Sequence, residues 1–267
     1  MSEKLRRLLF LVVITALILT LRCTAHGQIA KHPLRLAAAA DLQPVLPPII
    51  DQFHQQTGIT VLASYHSSAT LAMQILNQAP FDLFMAADMS YAQYVIDRGA
   101  GVGATPIPYA RGTLVLWTRN DSGIPSLSLD ALRNASIRTI AIANPKHAPY
   151  GRAAQQTLIQ AGLMPAVKSR LVIAENIAQA AQYAESGNAQ VGFISLTSAL
   201  TPRLSKSGHY IRIPQQDYAP LIQGAVVVKG AKNAAAARRF LEFLAQPKIR
   251  ALLAAAGLES PTAEPPE

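Results

Sequence analysis

Apolar runs of strand length alternate with amphipathic stretches along the first part of this chain. The short apolar run Leu34–Ala38 predicts a strand. The next stretch, Pro44–Gln56, predicts a helix because apolar residues recur in it at helical spacing. The alternation continues through a strand at Thr60–Ser64, a helix at Thr70–Asn77, a strand at Asp82–Ala86 and a helix at Tyr91–Arg98. This order predicts a mainly parallel sheet covered by helices on both faces.

A second alternating series follows a change of pattern between Pro106 and Arg111. It opens with a longer apolar strand, Leu114–Thr118. It continues through strands at Thr139–Ala143, Leu171–Ala174, Val191–Ile194, Tyr210–Ile213 and Ala225–Val228, with helices at Arg152–Ala161 and Ile177–Ala184. The alanine- and leucine-rich segment Ala234–Ala255 predicts a closing helix. The fold class predicted from these two series is α/β, with two units of strands and helices.

The two series predict a division of the chain into two lobes. We expect residues 31–109 and 216–258 to form the first lobe and residues 110–215 the second, because the final helix needs a surface to pack on. Two crossing strands would then join the lobes, with a cleft between them. The proline-rich end, residues 259–267, predicts a disordered tail.

The N-terminus has the order of a secretory signal peptide: basic residues, then the apolar run Leu8–Leu21, then small residues. Residues 1–27 are therefore predicted to be removed on export, which places the mature protein in the periplasm. Cleavage after Ala25 or after Gly27 both fit the small-residue rule, and either removes Cys23, the single cysteine. The alternative is an uncleaved anchor, although about 14 apolar residues are few for a span.

Charge and composition narrow the class of partner. The 267 residues are 50% hydrophobic and carry a formal net charge of +9, but the basic residues are dispersed and form no run longer than two. This dispersal argues against nucleic-acid binding. A mild positive field suits a small anionic ligand, or simply solubility. We expect a monomer with no nucleic-acid partner and no cofactor.

Four junctions between a strand and the following helix carry polar groups suited to an anion. They are Ala40–Asp41, the serine pair Ser67–Ser68, the turn ending in Pro149–Tyr150, and Asn176–Ile177. In an open α/β sheet, ligands lie beyond the carboxyl ends of the strands, where helices begin. The first turn of a helix offers free N–H donors and a partial positive charge. Asp41, Asn176 and each serine are equally interpretable as helix caps without a ligand.

Other chemistries have weaker support. The five histidines outside the signal segment lack metal-ligand spacing, so no metal cation is expected. No glycine-rich phosphate loop or nucleophile elbow occurs. Two alternatives stay open. One is a secreted hydrolase with Ser67 or Ser68 as nucleophile beside His147 and Asp88, and the other is a membrane-anchored ligand sensor.

At these junctions the chain resembles the periplasmic molybdate-binding proteins of ABC importers, which are type II periplasmic binding proteins. The matching stretches are AAAADLQPV, SYHSSATLAMQI, APFDLFMAAD, ANPKHAPYGRAA, AENIAQA and VGFI, in family order from about residue 34 to 258. The resemblance implies a two-lobed binding protein, not an enzyme. Such a protein closes its cleft on molybdate or tungstate and delivers it to a membrane permease.

The resemblance also implies the binding groups, which are neutral donors without a paired cation. Ser68 matches the family's serine ligand, and Tyr150 falls where some members donate a tyrosine hydroxyl. Ile177 falls where a backbone N–H is donated, and Ser67 is a neighbour, cap or second donor.

Two positions depart from the family pattern. Asp41 stands where many members have a hydroxyl residue; we expect it to cap the helix and to leave backbone N–H groups of Ala40 or Asp41 as donors. Ser195 replaces a tyrosine found in some members, and Tyr150 is expected to supply the missing hydroxyl. An accepting Asp41 could also recognise the proton of hydrogen phosphate. Phosphate and sulfate therefore stay as alternative ligands.

Overall fold

The computed structural model describes residues 32–262, so the predicted signal peptide lies outside the described residues. Ten strands occur in that part of the chain: β1 Leu34–Ala39, β2 Val61–His66, β3 Leu83–Ala86, β4 Ile107–Gly112, β5 Leu114–Arg119, β6 Ile140–Ala143, β7 Leu171–Ala174, β8 Val191–Ser195, β9 Gly208–Arg212 and β10 Leu221–Val227. Its α-helices are α1 Leu46–Thr57, α2 Ser68–Leu76, α3 Met89–Asp97, α4 Pro149–Gln160, α5 Met164–Val167, α6 Ile177–Ser186, α7 Leu196–Ala199, α8 Pro202–Ser207, α9 Ala234–Leu244 and α10 Pro247–Ala255.

The strands form two five-stranded sheets. The first has the order β2-β1-β3-β10-β4 and the second has the order β7-β6-β8-β5-β9. We call the part of the protein built on the first sheet lobe 1 and the part built on the second sheet lobe 2. The chain passes from the first sheet to the second across Thr113 alone, and it returns through residues 213–220.

Each sheet is mixed, which corrects the expectation of mainly parallel sheets. In each sheet three strands pair in parallel, and one strand runs antiparallel to both of its neighbours: β10 in the first sheet and β5 in the second. Both exceptions are the first strand after the chain crosses from the other lobe. β5 and β10 begin at the cleft, where the chain enters each lobe, so they run away from the cleft. The parallel strands end at the cleft, where the helices that follow them begin, so they run towards the cleft.

The closing segment also differs from the prediction of one helix. Two helices, α9 and α10, are separated at Gln246, whose φ of −64° and ψ of 139° are extended. Pro247 causes the break, because a proline disfavours helical geometry at the preceding residue and cannot donate within a helix. Strand β4 was not predicted, since its apolar pattern is weak.

The C-terminal helices pack on lobe 1. The ring of Phe53 in α1 lies edge-on to those of Phe240 and Phe243 in α9, with centroid separations of 5.0 and 5.3 Å. Beyond α10, Glu259 exchanges two backbone hydrogen bonds with Arg111 of β4. The first residue of the predicted tail is therefore held in an antiparallel bridge, and residues 263–267 lie outside the described part.

Candidate functional site

A small cavity lies between the two lobes, where strands of both sheets end and helices begin. It encloses about 200 Å³ of empty space, its open mouth included. Its lining comprises Ala39, Ala40, Asp41, His66, Ser67, Ser68, Ala87, Ala148, Pro149, Tyr150, Asn176 and Ile177. Six of the seven predicted site residues belong to this set, and the seventh, Ser195, does not. The structure therefore brings together groups from both lobes that are up to 137 positions apart in sequence, as Ala40 and Ile177 show.

The adjacent serines have different hydrogen bonds. Ser67 is the N-cap of α2: its Oγ accepts from the backbone N–H of Thr70 at 3.2 Å and lies 2.7 Å from Thr70 Oγ1. Ser68 is the first residue of α2, is buried, and its Oγ accepts from the backbone N–H of Ala87 at 3.0 Å. An acceptor bond leaves the hydroxyl proton of Ser68 available to a ligand. Ser67 is thus the cap and Ser68 the candidate donor.

Lobe 2 contributes the first turns of two helices. Tyr150 follows Pro149 at the start of α4, and Ile177 opens α6 after Asn176, whose side chain caps the helix by accepting from Gln179 N–H at 3.0 Å. The first N–H groups of a helix have no partner within it. The backbone N–H of Ile177 is therefore placed at the cavity with the positive end of the helix dipole behind it.

Asp41 does not cap a helix, which corrects the sequence expectation. It lies within the 3-10 turn Ala40–Leu42, whose N-cap position is Ala39 and which has no side-chain cap. Its carboxylate is fully buried, and Oδ2 accepts from the hydroxyl of Tyr150 at 3.1 Å and from the amide of Gln223. Oδ1 has no hydrogen-bond partner among the described residues. Burial raises the pKa of Asp41 from 3.8 to about 6, although both hydrogen bonds oppose the rise.

The contact with Asp41 changes the interpretation of Tyr150. We expected its hydroxyl to donate to the ligand, but in the structure that hydroxyl donates to Asp41 Oδ2. Burial and the nearby Asp41 raise the pKa of Tyr150 well above its usual range, so the hydroxyl keeps its proton. The tyrosine therefore links lobe 2 to a carboxylate of lobe 1.

Ser195 lies outside the cavity lining. It is fully buried as the N-cap of α7 and accepts from the backbone N–H of Ser198 at 3.3 Å. The hydroxyl of Thr197 lies 2.8 Å from Ser195 Oγ and 2.8 Å from the backbone carbonyl of Asp41. Ser195 therefore supports the turn at Asp41 through Thr197. It does not supply a hydroxyl to the cavity in place of the tyrosine that some family members have.

The lining is electrostatically unusual for an anion site because none of its described residues is a lysine or an arginine. Its donors include the hydroxyl of Ser68 and the backbone N–H groups of helix first turns. Its ionisable side chains are Asp41, Tyr150 and His66, which ends β2. Such a site can hold a dehydrated anion by neutral hydrogen bonds and helix dipoles.

Contacts across the cleft hold the lobes together. The N–H of Ala69 in α2 donates to the carbonyl of His147 at 3.2 Å, and the hydroxyl of Tyr91 in α3 donates to the carbonyl of Lys146 at 3.1 Å. A third contact is the ion pair between Asp88 and Arg152. The arrangement is therefore a closed one.

Two functional candidates, Gln223 and Thr197, escaped the sequence reasoning, and so did the pairing of Arg152 with Asp88 across the lobes. Gln223 lies in β10, 182 positions from the aspartate it contacts, and no local pattern marks it. Asp88 entered the sequence reasoning only as a member of the hydrolase alternative. Asp88 is in fact the N-cap of α3 as well as an ion-pair partner.

The described residues bear on the hydrolase alternative, whereas the anchored-sensor alternative depends on residues that lie outside them. Neither Ser67 nor Ser68 hydrogen-bonds a histidine in residues 32–262. The same part of the chain contains no cluster of metal-ligating side chains and no helix with the length and hydropathy needed to cross a bilayer.

Comparisons with known proteins cover the same region as the described fold. A family model described as bacterial extracellular solute-binding protein matches residues 34–259. The molybdate-binding protein ModA of Azotobacter vinelandii is 34% identical over 224 residues, which cover 84% of this chain and 88% of that protein. The ModA of Rhodobacter capsulatus is 32% identical, with 79% and 82% covered. The solved structure of the Azotobacter vinelandii periplasmic molybdate-binding protein superimposes with a TM-score of 0.79 at 32% identity, covering 84% of this chain and 98% of that one.

Proposed function

The chain belongs to the bacterial extracellular solute-binding protein family, and from this premise we propose that it captures molybdate outside the cytoplasm for an ABC importer. Its homologues are binding proteins and not enzymes, and so is this protein. The single observation that carries the ligand assignment is the cavity between the lobes, which offers neutral donors and is lined by no lysine or arginine among the described residues. The relatives from Azotobacter vinelandii and Rhodobacter capsulatus are molybdate-binding proteins, and molybdate is a dianion that neutral donors of this kind can hold.

Ser68 and Ile177 are the principal binding groups in this proposal. The hydroxyl proton of Ser68 is free because its oxygen accepts from Ala87, and the N–H of Ile177 is free because it opens a helix. Ala40 and Asp41 contribute backbone N–H groups from the turn on the lobe 1 side. The donors come from both lobes, so binding favours the closed arrangement.

Tungstate is proposed as a second ligand because it is also a tetrahedral dianion with the same acceptor geometry. Sulfate is smaller, and discrimination against it would come from the size of the cavity. Hydrogen phosphate is a second candidate on one specific observation, the unpartnered Oδ1 of Asp41. An ionised carboxylate there could accept the proton that hydrogen phosphate carries.

Isothermal titration calorimetry with the four anions tests the ligand assignment. We expect tight binding of molybdate and tungstate, and weak or no binding of sulfate and phosphate. Tight phosphate binding without a molybdate signal would overturn the assignment and favour hydrogen phosphate.

Delivery to a permease, export and monomeric state complete the proposal. Closure of the lobes would present the surface that a permease recognises. Mass spectrometry of the exported protein tests the signal peptide, with cleavage expected after Ala25 or Gly27. A mature mass that still includes residues 1–27 would favour the anchored-sensor alternative. Light scattering of the mature protein with molybdate tests the monomer, and a reconstituted importer tests delivery through its molybdate-dependent ATPase activity.

A further inference from the structure

Asp41 lines the cavity, and the two oxygens of its carboxylate differ in their hydrogen bonds. Oδ2 accepts two hydrogen bonds, from Tyr150 and from Gln223, whereas Oδ1 is buried without a partner among the described residues. A carboxylate oxygen that already accepts two donors is a poor position for a proton. If the group is protonated, the proton therefore belongs on Oδ1.

The surroundings of Asp41 lack the positive charge that normally accompanies a buried carboxylate. No lysine or arginine hydrogen-bonds it in residues 32–262, and its two donors are uncharged. Bringing a dianion into the same small cavity adds repulsion between like charges in a weakly polar environment, which favours the neutral form of the acid.

A neutral Asp41 would have one donor without an acceptor. A buried O–H group that lacks an acceptor is unfavourable, and an anion in the cavity provides oxygen acceptors. Protonation thus changes the residue from a repulsive neighbour into a donor.

We propose that Asp41 binds the oxyanion as a neutral carboxylic acid that donates from Oδ1, so that each anion enters the site together with one proton from solvent. This inference rests on the proposed function, and it adds a specificity-determining residue to it. Asp41 makes binding dependent on pH, and the bonds to Tyr150 and Gln223 persist because the carbonyl oxygen Oδ2 still accepts.

Among the described residues, the other titratable side chains near Asp41 are two tyrosines and one histidine. Tyr150 of α4 and Tyr109 of β4 have pKa values raised well above their usual range by burial, and the charge of Asp41 adds to both rises. They stay protonated at neutral pH. Gln223 of β10 does not titrate. His66 lines the same cavity from the end of β2, so the experiment must separate its contribution.

Calorimetry of molybdate binding in buffers of different ionisation enthalpy counts the protons taken up. For the wild type we expect uptake approaching one proton per anion near pH 8, and an affinity that weakens about tenfold per pH unit above about pH 6. Asp41→Asn, which donates at any pH, is expected to bind without uptake and with an affinity independent of pH. The slope is expected to persist in His66→Asn, whatever that change does to affinity itself.

Infrared difference spectra locate the proton. Addition of molybdate to the wild type should produce a protonated-carboxyl C=O band that is absent from Asp41→Asn. Molybdate binding without proton uptake, or uptake without that band, would overturn the role of Asp41 and leave the proposed function intact. Absence of molybdate binding in both proteins at every pH would instead remove the proposed function, and the inference with it.

Discussion

The guanidinium of Arg152 in lobe 2 forms an ion pair with the carboxylate of Asp88 in lobe 1. The same guanidinium lies 5.2 Å from the ring centroid of Tyr91 on lobe 1. One arginine side chain therefore contacts two groups on the opposite lobe, beside the cavity but outside its lining. This contact stabilises closure without touching the ligand.

Replacing Arg152 by glutamine should weaken molybdate binding about two- to fivefold, because a partly exposed ion pair contributes about 0.5–1 kcal/mol. The measurement is calorimetry, with small-angle scattering of the unliganded protein to detect a more open shape. Arg119→Gln is a matched control, since Arg119 pairs with Asp121 inside lobe 2 and its side chain is 31% exposed against 37% for Arg152. Equal losses in both variants would contradict a role in closure.

Alanine substitution of the two adjacent serines should separate a ligand donor from a cap. Ser68→Ala is expected to lose about 1–3 kcal/mol of molybdate binding, because a buried hydroxyl donor is removed. Ser67→Ala should instead cost about 1 kcal/mol of unfolding free energy with little change in binding. Calorimetry and urea unfolding of both variants provide the comparison. A binding loss at Ser67 as large as that at Ser68 would show that the roles are assigned wrongly.

The raised pKa of Asp41 predicts how stability depends on pH in the unliganded protein. The folded-state pKa of about 6 exceeds the ordinary 3.8, so the protonated form stabilises the fold. That contribution is fully present below about pH 4 and is lost as pH rises through about 6. Relative to Asp41→Asn, the wild type should lose about 3 kcal/mol of unfolding free energy across that range. Urea unfolding at several pH values measures it in the wild type and in Asp41→Asn.

Gly112, at the end of β4, is packed against the hydroxyl of Tyr150. A Cβ at this position would overlap that hydroxyl and approach the amide nitrogen of Gln223 to 3.1 Å. Gly112→Ala should therefore displace the groups that hold Asp41, lowering unfolding free energy by about 1–3 kcal/mol and weakening molybdate binding.

The variant Tyr150→Phe tests whether the overlap with the hydroxyl causes the loss at Gly112, because it removes the overlapping oxygen. In a double-mutant cycle, Gly112→Ala should cost less stability in the Tyr150→Phe background than in the wild type. Additive losses in urea unfolding would mean that the glycine is required for another reason.

Nine of the ten strands described in residues 32–262, and the longer helices between them, followed in order from the sequence, because periodicity and capping residues are local. Leu171–Ala174 was predicted with the bounds that the structure has. The junctions were grouped because helix first turns at strand ends form anion sites, and the family resemblance then implied Ser68, Tyr150 and Ile177 as the binding groups. The family resemblance was also present in local stretches. The break at Pro247 was available from the sequence and was missed, since an alanine-rich pattern continued past it.

Tertiary structure decided the hydrogen-bond partners of these groups. The two serines differ because Ala87 lies beside one of them, and Asp41 is not a cap because Tyr150 and Gln223 reach its carboxylate from 109 and 182 positions away. A side chain's donor and acceptor roles depend on which groups the fold brings within about 3 Å. Spacing along the chain does not specify those distances, because long-range contacts depend on how the strands are ordered in the sheets and on how the lobes meet.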